Sequence, residues 1–137
     1  MTELKIGDSI TGGKITVTES HVVGFAGLTG DFNPLHTDEE YARTTSFGGR
    51  IAHGLLSLSL ALGLVSQHIH GYFLYGFDRI RFIKPVKLGE SVFSTLTVKG
   101  SSERERYVLF DCTLSLKKSD GSEVLNAAIL LGKMKGE

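Results

Sequence analysis

"HGLLSLSLALGLVSQHI", residues 53–69, decides the fold, because it can be read in two ways that lead to different architectures. Leu56, Leu58, Leu60, Leu62 and Leu64 alternate with Ser57, Ser59, Ala61 and Gly63, and a period of two is the mark of a strand. The run is nevertheless 17 residues long, leucine-rich, uncharged, and free of β-branched residues until Val65. A helix enclosed by a sheet is apolar or small on every side. Length and composition therefore predict a buried central helix here.

Downstream, the chain turns to strand-length runs rich in Val, Ile, Phe, Tyr and Thr: "YFLYGFDRIRFI" (72–83), "ESVFSTLTVKG" (90–100), "RYVLFDCTLSLKK" (106–118) and "EVLNAAILLGKM" (123–134). Short polar or Gly/Pro-containing stretches separate them. In the third run Val108, Phe110, Cys112, Leu114 and Leu116 share one face, and Asp111, Thr113 and Ser115 the other. These four strands read as an antiparallel meander. Upstream, "KITVTE" (14–19) reads as a strand, and "HVVGFAGL" (21–28) as a helix capped by Thr18 or Ser20 and ended at Thr29-Gly30. The pattern predicts an α+β fold in which a curved antiparallel sheet wraps around one long central helix, as a single domain over residues 1–137. Open sheet edges would be protected by pairing in a homodimer.

Between the first two helical pieces lies "GDFNPLHTDEEYA", residues 30–42. Pro34 fixes its own φ and pushes Asn33 toward extended geometry, so the turn is stiff. Thr37 and Glu40 form a T-x-x-E capping box, predicting a short helix directly after His36. Asp31 and His36 would then stand at two helix boundaries joined by a rigid bridge. A carboxylate and an imidazole sharing one water can exchange its protons at neutral pH, which suits general acid–base work.

The chain has 15 basic and 15 acidic side chains in 137 residues. Their balance and dispersion exclude the electrostatic footprint of nucleic-acid binding. The first residues, "MTELKIGDSI", hold no apolar run of signal-peptide length and no stretch reaches the length of a membrane span, so the expectation is a cytoplasmic protein that engages no membrane. Cys112 is the only cysteine and reads as a small buried hydrophobe. His68 and His70, near the end of the central helix, read as solvated rather than as a metal pair, and no metal is expected.

"LTGDFNPLHTD" (28–38) resembles the hydratase motif of the MaoC-like, (R)-specific enoyl-CoA hydratases of the hot-dog fold; "FGGRIAHGLLSLSLALGL" (47–64) resembles the start of that family's central helix, and "RIRFIKPVKLGE" (79–90) its next strand and turn. The resemblance spans nearly the whole chain. It implies reversible hydration of a trans-2-enoyl thioester to the (R)-3-hydroxyacyl thioester, with Asp31 and His36 as the catalytic pair. It implies no cofactor beyond the coenzyme A or acyl carrier protein that carries the substrate, and a dimer or a dimer of dimers. The chain departs from the pattern at Glu90, where many members have Asp, and at Leu62, where some have an assisting serine.

If the helix begins at Gly54, its backbone N–H is a donor for the thioester oxygen. Asn33 and His53 are further substrate-binding candidates. Asn33 can instead bond the loop backbone, the favoured of its two roles, and His53 can orient the loop or contact substrate. Leu62, Phe32 and Tyr41 are candidates for setting acyl length. Arg50, Lys84, Lys87 and Arg106 are candidate phosphate contacts, better read as ordinary surface charges. Two other functions fit the same architecture: an acyl-CoA thioesterase, and a non-catalytic acyl-thioester-binding domain. The His five positions after the Asp favours hydration.

Overall fold

The computed structural model describes residues 3–137. Its elements run β1 (Ser9–Thr16), α1 (Glu19–Thr29), α2 (Pro34–Thr37), α3 (Glu39–Arg43), α4 (Gly54–Ser66), β2 (Phe73–Phe82), β3 (Ser91–Glu103), β4 (Tyr107–Lys118) and β5 (Glu123–Met134).

The deciding stretch is helical. Leu56, Ser57, Leu58, Ala61, Leu64 and Val65 are its buried residues, and their three- and four-residue spacings form one stripe that packs on β1, β3 and β4. Enclosure is not complete, as the sequence had suggested it would be. Leu55, Ser59, Gly63 and Ser66 form an opposite stripe that stays exposed, because one sheet covers one side of a helix. At Gly12 β1 crosses α4 so closely that a Cβ would lie 2.8 Å from the backbone carbon of Leu64, an approach only glycine allows.

All strand pairs are antiparallel, in the order β1-β3-β4-β5-β2. The curved sheet on one long helix is the hot-dog arrangement. Strands β3, β4 and β5 form the expected meander, but β2 lies beside β5 and not β3, with Phe73 opposite Gly132 and Phe82 opposite Leu125. The reason lies in residues 83–90, which cross the end of the sheet instead of turning back. Ile83 and Lys84 both donate to the Val124 carbonyl (2.7 and 3.1 Å), the Val86 carbonyl accepts from Ala52 (2.7 Å), and Pro85 has no N–H to give a hairpin.

The first strand starts and ends earlier than its β-branched residues suggested. Val17 follows it, and Thr18 begins the helical turn by donating its backbone N–H to His21 Nδ1 at 3.0 Å, which draws Glu19 into α1. As expected, α1 ends at Gly30, whose φ of 82° lets its N–H reach the Ala26 carbonyl at 2.8 Å.

The core draws on every strand except β2, which has no buried residue and only packs Phe77 and Ile80 against it. Leu96, Leu114, Leu116, Leu125 and Ile129 are its largest fully buried side chains apart from the valines. Cys112 lies among them, and burial pushes its thiol up to about 12, so it stays protonated and unreactive near neutrality. Among the described residues no helix is long and apolar enough to cross a membrane.

Candidate active site

The loop after α1 is held by short local hydrogen bonds. The Thr29 hydroxyl donates to the Phe25 carbonyl (2.8 Å) and accepts from the Asp31 N–H (3.2 Å). Asp31 Oδ1 accepts from the Asn33 N–H (3.2 Å), which fixes the carboxylate on its own turn and leaves the other oxygen without a protein partner among the described residues. Asn33 Oδ1 accepts from the Leu35 N–H (3.0 Å), so the side chain caps a helix and its oxygen is committed to the backbone.

That cap changes the expected helix start. With Asn33 as cap and Pro34 in the first turn, a four-residue turn, α2, forms that includes His36 and takes in Thr37, the first residue of the T-x-x-E box. The next helix is capped by Asp38, whose Oδ1 accepts from the Tyr41 N–H at 3.2 Å, and not by Thr37. The Thr37 hydroxyl points back instead and donates to the Phe32 and Asn33 carbonyls (3.2 and 3.3 Å).

His36 is buried, and its Nδ1 lies 2.8 Å from the Ile51 carbonyl oxygen. A carbonyl can only accept, so Nδ1 carries a proton, and in the neutral tautomer that this selects the bare lone pair is on Nε2. His53, 2 % exposed, stacks on His36 with ring centroids 3.9 Å apart, and its Nε2 donates to the Asp31 backbone carbonyl at 3.0 Å. Phe25 packs on its other side at 4.9 Å. Of the two roles open to His53, the hydrogen bond serves the loop: it ties Asp31 to the residue that precedes α4.

A carboxylate oxygen of Asp31 and a ring nitrogen of each histidine lie within 4.8 Å of one another. One water can bridge such a span, since two hydrogen bonds of about 2.8 Å meeting at a tetrahedral oxygen reach about 4.6 Å. A cation fits less well. Metal–imidazole bonds lie in the ring plane at about 2.1 Å, and two stacked rings inclined by 27° do not aim their lone pairs at one point.

Gly54 opens α4, and no side chain caps that end. The first N–H groups of the helix are thus free for another acceptor, with the partial positive charge of a helix start behind them. Gly54 and Leu55 line one cavity of about 310 Å³ with Asp31, His36, His53, Phe25, Thr29 and Phe82. Phe82 faces Gly54 so closely that a Cβ there would lie 3.1 Å from its ring. Both residues also line an adjoining, mostly apolar cavity of about 270 Å³ that reaches Ser57, Val86 and Lys84.

Phe25, Thr29 and Phe82 were not legible as site residues; each is an ordinary apolar or capping residue until the fold brings it to Asp31. Leu62 lines a separate cavity along the exposed stripe of α4, and Phe32 and Tyr41 are exposed and line none of the cavities described here. His68 and His70 are exposed on either side of buried Ile69. Lys87 and Arg106 are exposed, as expected of surface charges, but Arg50 is not one of these: its side chain is 13 % exposed and turned inward.

Residues 3–118 match the family model described as MaoC like domain. An (R)-specific enoyl-CoA hydratase of Rhodospirillum rubrum is 36 % identical over 115 residues, which is 83 % of this chain and 79 % of that one. Among solved structures, a monoamine oxidase regulatory protein from Archaeoglobus fulgius superposes with a TM-score of 0.90 at 35 % identity, covering 98 % of this chain and 93 % of that one. An unliganded (R)-hydratase from Pseudomonas aeruginosa superposes with a TM-score of 0.81 at 30 % identity, covering 94 % and 81 %.

Proposed function

The chain belongs to the MaoC like domain family, and from that premise we propose that it is a hydro-lyase that reversibly adds water to a trans-2-enoyl thioester to give the (R)-3-hydroxyacyl thioester. The observation that carries this reading is the convergence of Asp31, His36 and the uncapped start of α4 on one cavity.

Asp31 and His36 Nε2 each accept a hydrogen of one water. Its oxygen adds to C3 and the proton it loses is returned to C2 through the pair, so atoms and charge balance with no further reactant. Negative charge grows on the thioester oxygen as C3 is attacked, and the Gly54 N–H at the uncapped start of α4 is the donor assigned to it in this reading. Running the steps backward dehydrates the hydroxyacyl thioester. Acid, base and oxyanion donor all come from the chain, so the reaction needs no cofactor beyond the carrier of its own substrate, coenzyme A or acyl carrier protein.

Purified protein incubated with crotonyl-CoA should bleach the conjugated enoyl-thioester absorbance without releasing free thiol, and the product should be (R)-3-hydroxybutyryl-CoA. Thiol release at the rate of bleaching would identify a thioesterase instead. Repeating the assay with the crotonyl carrier-protein thioester separates the two carriers.

The reading is of a cytoplasmic homodimer of one-domain chains. Strand β2 is a sheet edge with an unpaired side and carries exposed Phe73, Leu74, Tyr75 and Phe82; such edges are protected when a second copy pairs with them. Sedimentation at micromolar concentration should give at least twice the mass of the chain. A single-chain mass would sink the dimer.

A further inference from the structure

The turn that carries His36 has only four residues, too few to hold a conformation by helix formation alone. Its position must come from outside. Arg50 supplies part of it: Nε donates to the His36 backbone carbonyl at 2.7 Å, while Nη1 and Nη2 donate to the two carboxylate oxygens of Glu19 at 2.6 and 2.8 Å. One residue on, Ile51 accepts from His36 Nδ1 at 2.8 Å. Residues 50 and 51 therefore hold His36 twice, by its backbone and by its ring.

We propose that the Arg50–Glu19 pair is a positioning device for His36, which keeps Nδ1 on the Ile51 carbonyl and Nε2 free for the water. Glu19 anchors the guanidinium to the first turn of α1, and the third nitrogen passes that anchorage to α2. An ion pair serving the surface alone would contribute little and would have no use for Nε. Here all three guanidinium nitrogens donate, in a planar geometry a lysine ammonium cannot copy. The Arg50 hydrogen bond holds the Glu19 carboxyl below its usual range, so the pair remains charged through neutral pH.

Arg50→Lys tests this, because it keeps the charge opposite Glu19 and loses the donor to His36. With crotonyl-CoA, kcat should fall about tenfold or more while KM and the thermal midpoint stay near those of the unsubstituted protein. Nitrogen-15 spectra of the His36 ring should show protonated Nδ1 and bare Nε2 in the unsubstituted protein, and a mixture of tautomers in Arg50→Lys. Glu19→Gln, at a carboxylate 61 % exposed, should show the same changes in smaller degree without removing a buried group. An unchanged kcat with an unchanged His36 tautomer overturns the proposal, as does a loss of stability alone. The kcat measurement rests on the hydratase reading and the ring spectra do not. Absence of hydration by the unsubstituted protein would therefore sink that reading, while the spectra still decide this one.

Discussion

Asp31→Asn and His36→Ala should each lower kcat for crotonyl-CoA hydration by roughly a hundredfold to ten-thousandfold, the range for loss of a positioned acid or base. Asparagine retains the oxygen that accepts from the Asn33 N–H, so the first variant should melt near the unsubstituted protein. Alanine at 36 does more, since it removes the stack with His53 and strands the Ile51 carbonyl. A buried acceptor left unpaired costs about 1–3 kcal/mol. His36→Asn separates the two effects. Its amide can still donate to Ile51, yet nothing occupies the place of Nε2, and it should be as inactive as alanine while folding better. In the proposed reaction the two residues act on one water, so the double variant should be little slower than the worse single one. Near-normal turnover in Asp31→Asn or in His36→Asn would remove that residue from the reaction.

Gly54→Pro should cost roughly a hundredfold to a thousandfold in kcat, the loss expected when one oxyanion donor is removed, with little change in stability. Proline deletes the N–H while suiting the first position of a helix. His53, which precedes it, already has φ −58° and ψ 142°, the extended geometry a following proline demands. Any side chain at 54 must displace the Phe82 ring, and Gly54→Ala controls for that displacement because it retains the donor. A proline variant no slower than the alanine variant would show that the thioester oxygen is held elsewhere.

Much of this was legible in the residues. The central helix was decided by length and by missing β-branched residues, and the four later strands lie within three residues of their sequence limits, since periodicity and turn residues are local properties. The partner of β2 was not legible, because pairing across some fifty residues depends on the path of 83–90 and not on either strand's composition. The capping box failed for a local reason: Asn33 and Asp38 are caps too, and Asn33-Pro34 comes first in the chain. Asp31 and Gly54 sit at helix ends, which the sequence did mark, whereas His36 lies inside the short turn α2 and not just ahead of a helix. Arg50 was misread because sequence shows charge but not burial, and its neighbours Glu19 and His36 lie 31 and 14 positions away.

The strand order β1-β3-β4-β5-β2 also governs when the protein can exist. During synthesis, β1, the helices and β2 are made first, and none of their strands has a partner within that half. β1 must wait for β3, and β2 for β5, the last strand to be made. The nascent chain therefore carries leucine-rich α4 and the apolar residues of β2 uncovered until the later strands are made, a state open to aggregation and to chaperones. Pairing of such distant segments makes folding slow for a chain of this size. The loop of Asp31 and His36 belongs wholly to the early half, but the Phe82 that lines its cavity is held by β5. The site is therefore completed only once β5 has joined the sheet.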